Sequence, residues 1–252
     1  MDLGLKDKRI IVTGGSRGIG LAIAEACAAE GARVSICARG KEGVEAALDK
    51  LATLGPDPSR ERHHGMVAHV GNERSLTAYI NAAAKELGGL DGLVNNPSGF
   101  GAGDSEEAWA AGVEVDLMGV VRATRAAIPM LKESKGSIVN ISSISGIGAT
   151  ENTSYGAVKA AVIQLTQSHA KQYASEQVRV NCIAPGSIEF PGGLWDDRKR
   201  NAPQHYQKAF DSIPFGRMGT PEEIGSVAAF LLSEPARWVT GQTIAVDGAQ
   251  NL

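Results

Sequence analysis

Short apolar runs rich in Val and Ile alternate along this chain with longer stretches whose apolar positions recur every three or four residues. The short runs lie at 8–13, 33–38, 64–70, 90–95, 136–141, 177–184 and 243–246, and predict buried strands. The periodic stretches between them predict helices, among them 21–30, 41–54, 73–87, one long helix over 105–132, and one running through Ala174. Strict alternation of strand and helix predicts an α/β protein with a doubly wound, parallel, seven-stranded sheet. No repeat, low-complexity run or linker interrupts it, so residues 1–252 read as a single domain.

One region departs from the alternation. Phe190, Trp195, Tyr206, Phe210 and Phe215 fall within residues 190–215 and make up five of the chain's 12 aromatic residues. An aromatic insertion after the sixth strand reads either as a lid over an apolar substrate or as a helical pair packed on the body. The charged run Asp196–Arg200 within it reads as a solvated helix face. A second irregular stretch, Asn96 to Gly103, is rich in glycine and reads as a mobile loop at a site mouth.

The first strand runs directly into Thr13-Gly-Gly-Ser-Arg-Gly-Ile-Gly20 and then an alanine-rich helix. Strand, glycine turn and helix in that order form a phosphate-binding turn. Glycines let the backbone approach a diphosphate, and the helix N-terminus favours its charge. The second strand ends in Ala38-Arg39 with no carboxylate to take a ribose 2′-hydroxyl, and Arg17 stands inside the glycine turn. Two guanidinium groups suit a 2′-phosphate, which points to NADP(H) over NAD(H); the duller reading is a pair of solvated arginines.

Further along, the fifth strand ends at Ser142-Ser143, and Tyr155 and Lys159 follow four residues apart on a helix. That spacing puts phenol and ammonium on one face. Bringing a tyrosine from its ordinary pKa of about 10 to about 7 takes roughly 4 kcal/mol. One ammonium at ~4 Å contributes about that much at an effective dielectric near ~20. Lys159 therefore suffices to make Tyr155 a working acid and base, and a serine hydroxyl beside it can hold a carbonyl or alkoxide oxygen.

Composition narrows the field. A net charge of −3 and a pI near 6.0 argue against nucleic acid or a membrane surface as partner. No apolar run reaches membrane-span length, and the first residues lack the apolar core of a signal peptide. Cys27, Cys37 and Cys182 are odd in number and far apart, without metal-ligand spacing. They read as buried thiols of a reducing, cytoplasmic compartment. His63-His64 is placed on or just before the third strand.

Taken together, these segments resemble the short-chain dehydrogenase/reductase family over essentially the whole chain. The matching pieces are Thr13-Gly14-x-x-x-Gly18-x-Gly20, Asn95-Asn96, Ser143, Tyr155-x-x-x-Lys159, Pro185-Gly186 and Val246-Asp247-Gly248. The resemblance implies a Rossmann-type sheet of strand order 3-2-1-4-5-6-7 and a homotetramer. It implies that Ser143 orients the substrate oxygen, Tyr155 exchanges the proton, and Lys159 binds the nicotinamide ribose while lowering the tyrosine pKa. Carried over position by position, the cofactor would touch Gly14, Ser16, Arg17, Gly18, Ile19, Gly20, Arg39, His69, Val70, Asn95, Pro97, Tyr155, Lys159, Pro185, Gly186 and Ile188.

Four departures stand out against that family pattern. His69 replaces an aspartate near the adenine, Pro97-Ser98 replaces Ala-Gly, Phe190 replaces a threonine, and Asp116 replaces the asparagine of the proton relay. The Asp116 carboxylate either points away from the site or stands ionised near Lys159; the confined setting of a core helix favours the second. The expected activity is interconversion of a ketone and a secondary alcohol with NADP(H). A 3-oxoacyl-thioester reductase of the same family and a catalytically silent nucleotide-sensing regulator or scaffold are the alternatives.

Overall fold

The structure is a computed structural model and describes residues 2–252. Seven parallel strands form one sheet in the order β3-β2-β1-β4-β5-β6-β7. They are β1 (Arg9–Thr13), β2 (Arg33–Ala38), β3 (His64–Val67), β4 (Gly92–Asn95), β5 (Ser137–Ile141), β6 (Arg179–Pro185) and β7 (Thr243–Val246). Nine helices connect or follow the strands among the described residues: α1 (Gly18–Ala29), α2 (Lys41–Leu51), α3 (Glu73–Leu87), α4 (Glu106–Ala111), α5 (Met118–Ser134), α6 (Thr153–Tyr173), α7 (Leu194–Asn201), α8 (Pro203–Asp211) and α9 (Pro221–Leu232).

Side chains of a strand alternate between faces, and here both faces are covered. Val12 and Ile36 join Ile23 of α1 and Ile224 of α9 in one buried layer. Ile11 and Leu93 join Leu76 and Ile80 of α3 and Leu131 of α5 in the other. Burial on both sides explains why the strands read as continuous apolar runs rather than alternating ones. Helices α1 and α9 approach closely because Gly225 faces the Ala22 carbonyl, where an added Cβ would stand only 2.7 Å from the oxygen.

Several boundaries shift by two or three residues from the sequence reading, the second helix ending at Leu51 instead of 54, and two differences bear on the site. The third strand stops at Val67, because the Asn72 side chain accepts the Ser75 N–H and caps α3 a few residues on. The long helix expected over 105–132 is broken: a π-helical turn at Gly112–Leu117 separates α4 from α5. Periodicity carries no mark of a π turn, since it adds one residue without changing composition.

Candidate active site

The carboxyl ends of β1, β4, β5 and β6 present Thr13, Asn95, Ser142 and Pro185 along one edge of the sheet. Buried amides hold this edge together. The Asn95 side-chain amide donates to Asn140 Oδ1 at 2.9 Å, and the Asn140 amide donates to Thr166 Oγ1 on α6, also at 2.9 Å. The Asn96 amide donates to the Thr13 and Gly14 carbonyls, tying β4 to the glycine turn.

Helix α6 reaches the edge through small residues. An added Cβ on Gly146 would stand 2.6 Å from the Lys159 carbonyl carbon, so the turn after Ser143 lies flat against the helix. Ser142 Oγ donates to the Lys159 carbonyl at 2.8 Å, and Ser143 Oγ accepts the Ser145 N–H at 3.1 Å. Lys159 points inward and is buried. Its Nζ donates to the Ile141 carbonyl at 3.2 Å and lies 5.6 Å from the centre of the Tyr155 ring.

The remaining partner of that ammonium is Asp116. Oδ1 of Asp116 lies 2.7 Å from Lys159 Nζ, and Oδ2 accepts the Gly99 N–H at 2.7 Å. Of the two placements open for this side chain, the structure has the one beside the lysine. The π turn brings Asp116 there. Burial alone would pull the Lys159 pKa down, but the Asp116 carboxylate and the Tyr155 phenol outweigh it, and the pKa is raised. The stretch from Asn96 to Gly103 is irregular and anchored, because Ser154 Oγ also donates to the Gly101 and Gly103 carbonyls.

The glycine turn suits a dinucleotide diphosphate. Gly14 and Gly18 have φ of +67° and +55°, in the left-handed region that favours glycine. A Cβ on Gly20 would strike the Gly14 carbonyl. Arg17 precedes α1 without capping it by its side chain, and the first turn of α1 carries no acid that would repel a phosphate. Ser16 and Ile19 lie within the same turn.

The other cofactor candidates are spread around this edge. Arg39 is exposed at the end of β2 and makes no ion pair among the described residues. Arg17 Nη1 donates to the Gly192 carbonyl at 3.3 Å and does not stand free. His69 is exposed, with its N–H on Ser75 Oγ, while Val70 is buried against Gly119 of α5. Pro97 packs on Gly14. The Gly186 N–H donates to the Val246 carbonyl, and Ile188 is buried where it bridges to Gly219.

Helices α7 and α8 carry no fully buried residue. Trp195, Tyr206 and Phe210 pack on one another, with ring centres 6.5 and 6.2 Å apart. Tyr206 OH donates to Glu189, and Lys208 on α8 pairs with Glu151, four residues before Tyr155. Three groups of the site escaped the sequence reading in the roles they take: the Ile141 carbonyl, the Ser142 hydroxyl and the Gly99 N–H. Only Ser142 left a trace, as half of a serine pair.

Known proteins match this chain over nearly its whole length. A family model described as enoyl-(acyl carrier protein) reductase matches residues 14–250. The chain is 37% identical to 2-(S)-hydroxypropyl-CoM dehydrogenase 3 of Xanthobacter autotrophicus, over 97% of this chain and 96% of that one. It is 37% identical to 3-oxoacyl-(acyl-carrier-protein) reductase FabG of Vibrio cholerae, over 98% of each. Among solved structures, levodione reductase superposes with a TM-score of 0.89 at 31% identity, over 98% of each chain. The Pseudomonas aeruginosa RhlG/NADP active-site complex gives 0.88 at 31%, covering 100% of this chain and 99% of that one. The chain belongs to the short-chain dehydrogenase/reductase family, and is an NAD(P)-dependent oxidoreductase.

Proposed function

We propose that this enzyme interconverts a ketone and a secondary alcohol with NADP(H), using Ser143, Tyr155 and Lys159, with Asp116 as a positioning residue. The observation that carries the reading is the buried Lys159 ammonium, fixed by Asp116 and the Ile141 carbonyl beneath the Tyr155 ring. When bound, the nicotinamide supplies or accepts the hydride.

The chain's own residues do the rest. In reduction Tyr155 donates its phenolic proton to the substrate oxygen as negative charge builds there, and Ser143 donates a hydrogen bond to the same oxygen. In oxidation the tyrosinate takes that proton back, and the neighbouring ammonium stabilises it. The anchored Asn96–Gly103 stretch and the α7–α8 unit would bound the substrate, with α7–α8 as a lid beside Glu151, which the exposed Lys208 pairs with. Arg39 and Arg17 would hold the 2′-phosphate of NADP(H).

A second reading, reduction of 3-oxoacyl thioesters, is favoured by relatives of that name at 36–37% identity. The aromatic α7–α8 unit favours a free, fairly apolar carbonyl compound. Among the described residues no helix is long and apolar enough to cross a membrane. Burial raises the Cys27 and Cys37 thiols to about 12 and Cys182 to about 11, which suits inert thiols in a reducing cytoplasm. The family resemblance adds a homotetramer.

A panel of ketones, 3-oxoacyl thioesters and secondary alcohols, followed through the absorbance of reduced nicotinamide, tests the reading. Turnover of a ketone or its alcohol with NADP(H) is expected. Cofactor binding without turnover of any member would favour the nucleotide-sensing alternative.

A further inference from the structure

Apart from its place among the aromatics of residues 190–215, Phe190 has a ring that lies on the glycine turn. An added Cβ on Gly18 would stand 2.7 and 2.8 Å from Phe190 Cε2 and Cε1, and closer still to Cζ. The same ring atoms meet Gly193, where an added Cβ would stand 2.9 Å from Cε1 and Cζ. The ring thus lies against two residues that have no side chain. The segment carrying it is tied down as well: the Gly192 carbonyl accepts from Arg17 Nη1 at 3.3 Å, and the Gly192 N–H donates to Asp196 Oδ2 at 2.8 Å. Phe190 also packs against the core layer that contains Ile23 and Ile188.

A diphosphate on this turn needs the space over Gly18, since that residue opens α1 and its lack of a side chain is what admits a close approach. An aromatic ring in the same space cannot coexist with it.

We propose that Phe190 sets the affinity for the cofactor by competing with its diphosphate for the space over Gly18. This rests on the dinucleotide reading of the turn. Opening is then a cost charged to every binding event, and the apparent Kd rises as the inverse of the uncovered fraction. Loss of apolar contact by a half-buried ring corresponds to a factor of about five to ten in Kd. The penalty falls on ligands that carry a diphosphate and spares those that end at the adenosine.

The experiment is calorimetric titration of the unmodified protein, Phe190→Ala and Phe190→Leu with NADPH, ADP-ribose and 2′-AMP. ADP-ribose carries the diphosphate without the nicotinamide, and 2′-AMP lacks the diphosphate. Phe190→Ala should bind NADPH and ADP-ribose at least ~5-fold more tightly and leave 2′-AMP unchanged. Phe190→Leu keeps apolar packing, should fall between, and serves if the alanine variant does not fold. Unchanged or weaker binding of NADPH and ADP-ribose by the variants would overturn the competition while leaving the proposed function intact. A parallel gain for 2′-AMP would also overturn it, because a general loosening would then be responsible. If the unmodified protein and both variants fail to bind NADPH, the dinucleotide reading falls and the competition with it.

Discussion

Asp116 Oδ1 lies 2.7 Å from Lys159 Nζ, and the two side chains are 1% and 3% exposed. On the proposed mechanism this carboxylate shares the ammonium that stabilises the tyrosinate. The phenol then faces a partly neutralised cation.

Asp116→Asn keeps the shape and removes the charge. The carboxylate that helps raise the Lys159 pKa is then gone, and the ammonium's field falls on the Tyr155 oxygen alone. Alcohol oxidation at saturating NADP+ should remain active, and its pH profile should reach plateau at lower pH. An unmoved or upward-shifted limb would show that Asp116 does not act through charge.

Cofactor choice rests on Arg39, exposed at the end of β2 and unpaired among the described residues. The unmodified protein should bind NADP(H) more tightly than NAD(H), and Arg39→Asp should reverse that order. A preference of roughly tenfold or more is expected from one charge-assisted phosphate contact. Equal Kd values for the two cofactors in the unmodified protein would mark Arg39 as solvated only.

Acid stability should depend on His63. Burial and the neighbouring Arg62 lower its pKa from 6.5 to about 4, and its ring Nδ1 accepts the Val34 N–H. The neutral ring is favoured by folding, so its contribution is complete above about pH 6.5 and is lost as pH falls toward about 4. Between those values the thermal midpoint should fall less steeply for His63→Gln than for the unmodified protein. Parallel slopes would exclude this histidine.

Much of the fold was legible because the central strands are continuous apolar runs and helices such as α2, α3 and α5 each carry one apolar face. Tyr155 and Lys159 were legible for the same reason: four residues on a helix is a spatial statement. The placement of Asp116 could be posed from sequence but not decided. It depends on the π turn at Gly112–Leu117, whose register no side-chain pattern records. The Ile141 carbonyl and Gly99 N–H are backbone groups and leave no residue-type signal at all. Arg17 was expected to stand ready for a phosphate, whereas its guanidinium reaches the Gly192 carbonyl, a contact between residues 175 positions apart.

The central claim is that Tyr155 carries the proton while Lys159 and Asp116 set its acidity. Tyr155→Phe removes the hydroxyl and leaves the ring over the ammonium. The most direct measurement is single-turnover ketone reduction by this variant, with NADPH binding titrated in parallel. The account predicts an unchanged NADPH Kd and a rate at least ~100-fold lower, the scale of a lost general acid. A rate within a few-fold of the unmodified protein, at equal NADPH occupancy, would contradict it.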